Sequence, residues 1–346
     1  MKHADYILPA EWYPQSGIQL TWPHPDTDWR EMLDEVEECF TDIAREISKR
    51  EPLLIVAPDT DKVRRRIEGK TTAENIGYFS CPTNDTWARD HGGITLIDEA
   101  NGRAHILDFA FNGWGLKFAA NLDNLITSNL HRNGRLAGEY VNRMNFVLEG
   151  GSIESDGKGT LLTTSECLLS PNRNGEWNRE QIEAYLKENF SVRQVLWLDH
   201  GFLAGDDTDS HIDTLARLCP DDTIVYVRCN DTADLHYAAL SAMEEQLRTF
   251  RTLDGKPFRL LPLPMAAPVV CDGERLPATY ANFLILDKAV LYPTYAQPDN
   301  DAAAAQVLQL AFPDRDIVGI DCRALIKQHG SLHCVTMQYP QGVLKI

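Results

Sequence analysis

A chain of 346 residues, 43% of them apolar, is long enough to bury a sizeable core. Its formal net charge of −18 excludes the broad basic face that nucleic acid or an anionic membrane surface requires, and favours a small cationic ligand instead. The opening MKHADYILPAEWYPQ has no basic segment followed by an apolar run, and the most apolar later stretch, LLPLPMAAPVV, is broken by prolines; neither secretion nor membrane spanning is expected, and a cytoplasmic location is.

In chain order, TDWREMLDEVEECFTDIAREISKR carries apolar residues at helical spacing, with Asp28 placed as N-cap and Pro52 beyond its end, and LLIVA after it reads as a buried strand. Four stretches then each predict two short strands joined by a tight turn: GGITLIDEANGRAHILDF, GSIESDGKGTLLTT with its Asp156-Gly157 turn, IDTLARLCPDDTIVYVR and NFLILDKAVLYP. A helical pattern follows each, in LKFAANLDNLITSNLHR, NREQIEAYLKENF, TADLHYAALSAMEEQLRTF and NDAAAAQVLQLAF, and most of these lead into another short apolar strand such as VRQVLWL or DIVGI. The unit is strand, strand, helix, strand.

The residue just before each hairpin is polar in an apolar neighbourhood: Asp90, Glu149, His211, Asn282 and finally Cys334, at intervals of 59, 62, 71 and 52 residues. Such a period, recurring five times, predicts a closed ring with one unit per sector and all five residues facing its axis. The fifth unit runs out of chain after CVTMQYPQGVLKI. The N-terminal helix and LLIVA can complete it, so the first and last segments are expected to meet in a single domain spanning residues 1–346.

Eight cysteines without a CxxC pair argue for reduced thiols, most of them small buried hydrophobes. Cys334 directly follows His333. If SLHCVTM is extended, as Val335 and Thr336 favour, those two side chains point to opposite faces, and the thiol needs a base from elsewhere. His211 is the candidate, being the one histidine at a hairpin start. In GDDTDSHID, His211 and Asp213 would share one face of a strand. The cluster of Asp206, Asp207, Asp209, His211 and Asp213 also admits a metal site or a solvated acidic loop, although it lacks the glycine and terminal glutamate of a calcium loop. In TWARDHGG, Asp90 beside Trp87 joins a carboxylate to an aromatic plane, which suits a guanidinium; the plainer alternative is a surface pair with Arg89. Glu149, again before two glycines, would orient a neighbour or touch ligand, and Asn282 would cap a loop.

Taken jointly, TWPHPDTDW, WARDHGG, FNGWGLKF, EGGSIESDGKGTLLTT, DTDSHID, NFLIL, PTYAQPDNDAAA and SLHCVTMQYP resemble the agmatine deiminase family, within the guanidino-group-modifying superfamily that includes peptidyl-arginine deiminases. The resemblance covers nearly the whole chain. It implies a five-bladed α/β propeller (pentein) of pseudo-fivefold ββαβ units. It further implies Cys334 as nucleophile, His211 as general acid and base, Asp90 and Asp213 as guanidinium-binding carboxylates, and Trp87, Glu149 and Asn282 near the pocket. The implied activity is hydrolytic deimination of a small cationic guanidino compound, agmatine foremost and free or peptidyl arginine as alternatives, with no cofactor or metal and a homodimer as the family expectation. Outside that class stand a metal-dependent hydrolase using the Asp and His cluster and an inactive cation-binding propeller. Two departures from the family pattern, His91-Gly92-Gly93 and His329-Gly330-Ser331, bear on the shape of the pocket mouth.

Overall fold

The computed structural model describes residues 6–346, so the first five residues of the opening stretch lie outside the described residues. Ile94–Asp98 pairs antiparallel with Arg103–Ala110, which pairs parallel with Glu139–Val147. The same antiparallel-then-parallel order recurs in Ile153–Ser155, Thr160–Thr164 and Gln194–Leu198, in Ala216–Cys219, Thr223–Arg228 and Arg259–Pro264, and in Leu284–Ile285, Ala289–Thr294 and Asp316–Asp321. Each parallel partner is reached through a helical crossover: Ile126–Arg132, Arg179–Phe190, Tyr237–Thr249 and Pro298–Ala311 respectively.

The fifth sheet joins the two ends of the chain. Thr336–Pro340 pairs antiparallel with Gln15–Thr21, which pairs parallel with Leu53–Ala57, and Ile76–Ser80 adds a further parallel strand. The crossover helix here, Leu33–Ser48, buries Val36, Phe40, Ile43, Ala44 and Ile47 at three- and four-residue spacing. All five residues of Leu53–Ala57 are buried, as a parallel strand covered on both faces requires. Each such aliphatic side chain contributes roughly 1.5–3 kcal/mol, enough collectively to hold the N-terminal strands against a C-terminal partner more than 300 residues away. Among the described residues, no helix is long and apolar enough to cross a membrane.

Four expectations about local structure are corrected. Asp28 is not a helix cap: the chain turns through a short 3-10 segment, Arg30–Met32, before the helix starts at Leu33, and the N-cap residue Met32 makes no side-chain cap. Burial of Trp29, whose Nε1 donates to Asp85 Oδ1 at 2.9 Å, fixes the entry angle instead. The predicted helix in LKFAANLDNLITSNLHR shortens to Ile126–Arg132, because Asn124 turns back to accept from the Phe111 amide and Gly113 to Leu116 all take positive φ. SLHCVTM is not extended: Thr336 N donates back to His333 O at 3.0 Å, and the strand begins only at Thr336. His211 and Asp213 lie not on a strand but at the cap and within the 3-10 turn Ile212–Thr214.

Candidate active site

Because the hairpin-start residues all precede the first strand of a unit, the five sheets deliver them to one place. Cys334 Sγ lies 3.4 Å from Asn282 Oδ1 and 4.0 Å from Asp213 Oδ2. His211 Nδ1 lies 3.7 Å from Asp90 Oδ1. A nitrogen of His211, a carboxylate oxygen of Glu149 and the sulfur of Cys167 fall within 4.8 Å of one another. Gly151 joins the two halves: a Cβ there would meet His211 Nδ1 at 2.7 Å, Asp90 Oδ1 at 2.8 Å and Asp213 Oδ2 at 3.2 Å. All seven residues singled out in the sequence are buried, and they converge.

Asp90 sits in a one-turn helix, Ala88–His91, rather than in a surface pair with Arg89, which is itself buried. Its Oδ2 accepts from Trp114 Nε1 at 2.9 Å and its Oδ1 from the Gly151 amide at 3.0 Å. Burial, with Asp213 and Glu149 adding to it against the pull of His211, raises its pKa to about 6. Asp213 goes the other way. Burial alone would raise it, but the hydrogen bond from His333 Nδ1 to Oδ2 at 2.7 Å, with His333, His211 and Arg217 nearby, holds it below the usual carboxylate range. Its other oxygen, Oδ1, is buried with no hydrogen-bond partner.

His211 has no hydrogen-bond partner on either ring nitrogen. Burial opposes its charge, yet the Asp90 carboxylate, with smaller help from Glu149, holds its pKa well above the usual imidazole value. The Cys334 thiol is pushed well above its ordinary value, first by burial and then by Asp213 and Asp90. The floor therefore holds a thiol facing two carboxylates, a geometry that an arriving cation reverses: at about 4 Å and an effective dielectric of about 20, one unit charge is worth roughly 4 kcal/mol.

Glu149 does not line the pocket. Both of its oxygens accept from Arg173 Nε, at 2.9 and 3.1 Å, in a buried ion pair. Asn282 is a hub for the nucleophile turn, its Oδ1 accepting from the amides of His333 at 2.8 Å and Cys334 at 3.3 Å. Trp87 walls the pocket, its Nε1 donating to Asp85 Oδ2 at 3.0 Å, and a Cβ at Gly330 would strike its ring at 2.0 Å. Of the two departures noted in the sequence, His91 points away from the pocket, 3.3 Å from Thr21 Oγ1, whereas Gly330 is where the indole needs room.

A cavity of about 400 Å³ opens onto Asp90 and Cys334 between the rings of Trp87, Trp114 and Phe118, and its mouth carries Asp28, Asp85 and Asp207. None of its lining residues is an arginine or a lysine, among the described residues. Sequence reasoning passed over Trp114, Gly151 and these three acids. Trp114 stands between two glycines in FNGWGLKF, a signal available in the sequence; Asp85, Asp207 and Asp28 are single acids whose position only the fold reveals.

The acidic loop does not gather as a metal site. Asp206 accepts from Thr208 and Ser210, and Asp209 pairs with Lys117 and Arg173, so the segment is an ordered turn rather than a solvated run. Two other groups bring three ligating atoms together, Glu149 with Cys167 and His211, and Glu11 with Glu154 and His333. In the first Arg173 already occupies both oxygens of Glu149, and in the second Arg217 bridges Glu11 and Glu154, so a guanidinium stands where a metal charge would.

With this geometry in hand, the chain was compared with known proteins. The model of the Porphyromonas-type peptidyl-arginine deiminase family matches residues 7–340. The chain belongs to that family. This deiminase-family member is 32% identical to the agmatine deiminase of Stutzerimonas stutzeri (strain A1501), covering 97% of this chain and 95% of that one. Among solved structures, the substrate-bound agmatine deiminase of C. jejuni is 39% identical, with a TM-score of 0.89 over 98% of this chain and 97% of that one. A Porphyromonas gingivalis protein described provisionally as an arginine deiminase is 56% identical, with a TM-score of 0.93 over 98% of this chain and 99% of that one.

Proposed function

We propose that this protein hydrolyses a small cationic guanidino compound, agmatine plus water giving N-carbamoylputrescine and ammonia, through a covalent amidino-cysteine on Cys334. The observation that carries this reading is the pocket: a cysteine and a carboxylate at its floor, aromatic walls, and an acidic mouth. The sequence and structural likeness to agmatine deiminases supports the same reaction class.

In this reading Asp90 and the unpartnered Oδ1 of Asp213 hold the guanidinium, placing its central carbon before Cys334. The incoming positive charge offsets the repulsion that keeps the thiol protonated, and the thiolate forms and adds to the carbon. His211, charged beside Asp90, gives its proton to the departing ammonia. Neutral His211 then takes a proton from water attacking the amidino-cysteine, and collapse of that adduct releases the urea product and restores Cys334. A ring nitrogen without a partner in the free protein suits both transfers.

Agmatine ends in an amine, arginine in an amine and a carboxylate. A mouth lined by Asp28, Asp85 and Asp207, with no Arg or Lys, favours the substrate lacking the carboxylate. Free arginine is the second reading, supported by the provisional description of the P. gingivalis protein. The recurrent sheet unit, with one pocket residue at the start of each, supports a five-bladed α/β propeller closing around this site as one domain.

The test is ammonia release from agmatine, free arginine and a blocked arginyl peptide, with Cys334→Ala as control. Agmatine should be turned over fastest, the variant should be silent, iodoacetamide should abolish the rate and chelators should leave it unchanged. Loss of activity to EDTA with recovery on adding a divalent ion would favour metal-dependent hydrolysis.

A further inference from the structure

We infer that His333 is a positioning residue for the guanidinium subsite: its Nδ1–H holds Oδ2 of Asp213 so that Oδ1 is the oxygen presented to substrate. The inference rests on the reading of Asp213 as a guanidinium-binding carboxylate. His333 and Cys334 are neighbours in one turn, yet Cys334 lines the substrate pocket while His333 lines a second cavity, about 450 Å³, together with Glu11, Arg89 and Glu154. The two cavities therefore lie back to back across the backbone, and Asp213 is gripped from behind.

The grip has a defined polarity. His333 Nδ1 lies 2.7 Å from Asp213 Oδ2, and since an ionised carboxylate only accepts, Nδ1 carries the hydrogen. Nε2 lies 2.8 Å from Glu11 Oε2 and 3.1 Å from Arg217 Nη2, so it donates to the first when it bears a hydrogen and accepts from the second when it does not. In both states Nδ1–H stays on Asp213. Arg217 is fixed in turn by Glu154, by Glu11 at 2.6 Å and by the carbonyl of Ala281 at 3.1 Å. The main-chain side is fixed as well, because Asn282 Oδ1 takes the amides of His333 and Cys334 together. One side chain thus keeps the clamp and the sulfur in register. The outcome is a buried carboxylate with one oxygen committed and the other left unpartnered, an arrangement costly to maintain unless a ligand completes it.

The test compares His333→Asn, whose amide nitrogen can take the place of Nδ1, with His333→Gln, whose amide reaches toward Glu11. Steady-state kinetics, pH profiles, and calorimetric agmatine affinity in a Cys334→Ala background are read for each. His333→Gln should raise KM and weaken affinity by roughly tenfold or more, and His333→Asn should stay within about threefold of the parent. Of the groups facing Asp213, namely His333, His211, Arg217 and the Cys334 thiol, only His333 is altered. Asp213 in His333→Gln therefore protonates at higher pH, and the acidic limb of binding moves upward. Equal losses in both variants with an unmoved acidic limb, or an unimpaired His333→Gln, overturn the inference. Should His333→Gln not fold, Glu11→Gln decides, since it leaves Nδ1–H on Asp213: KM within about threefold supports the inference, and a rise of roughly tenfold overturns it. Asp213→Asn with parental affinity would instead remove the underlying reading of Asp213, whatever His333 does.

Discussion

His211 Nδ1 stands 3.7 Å from Asp90 Oδ1 with no hydrogen-bond partner on either ring nitrogen, a buried ion pair left open on the side where a substrate would lie. The pH dependence follows from it. Burial raises Asp90 to about 6, so kcat/KM for agmatine should fall as pH drops through that value and the carboxylate protonates. His211 is raised well above 6.5, so activity should fall again as pH climbs through its pKa and the acid for ammonia departure is lost. A stability consequence accompanies this. A carboxyl raised from 3.8 to about 6 on folding stabilises the fold below 3.8 relative to higher pH, and that advantage is lost as pH rises to about 6. Asp90→Asn, which keeps one of two acceptors, should be inactive yet more stable by about 1–2 kcal/mol near roughly pH 8, with the gain gone in acid, by chemical denaturation.

Gly151→Ala should separate activity from folding. The glycine is not in the left-handed region, so alanine brings no backbone strain, but its Cβ would press on His211, Asp90 and Asp213 at 2.7, 2.8 and 3.2 Å. Turnover should drop by roughly a hundredfold or more, since displacing reacting groups by about 1 Å has that effect, while the melting temperature moves by only a few degrees.

The Glu149–Arg173 pair should behave as a structural unit behind the site. Arg173→Met leaves a fully buried Glu149 uncompensated and should destabilise by about 3–5 kcal/mol. Pairing it with Glu149→Gln should recover much of that, which a double-mutant cycle in denaturant measures.

Asp207 should set substrate choice. Its carboxyl is raised by burial, and a bound ammonium at the mouth would relieve that cost. Asp207→Asn should raise KM for agmatine roughly tenfold with little change in kcat, and should narrow the preference over free arginine.

Much of this site was legible because the chemistry repeats with the fold. Asp90, Glu149, His211, Asn282 and Cys334 each precede a hairpin, and a hairpin start is a local signal that needs no tertiary knowledge. What stayed hidden depended on side chains meeting across units. Glu149 read as a substrate-binding acid because nothing in its own segment announces Arg173, 24 residues later, which neutralises it. His333 and Cys334 do face opposite ways, but a turn and not a strand separates them, since Thr336 bonds back to His333. Asp28 fitted an N-cap by position, yet the buried Trp29 displaced the helix start and left the acid at the pocket mouth.

The central claim is covalent chemistry at Cys334, and intact-protein mass spectrometry after an acid quench during agmatine turnover tests it most directly. The account predicts an amidino adduct that maps to Cys334, forms no slower than ammonia is released, and is absent from Cys334→Ala, which releases none. Ammonia release at the parental rate from Cys334→Ala, or full turnover with the label on no cysteine, would contradict it.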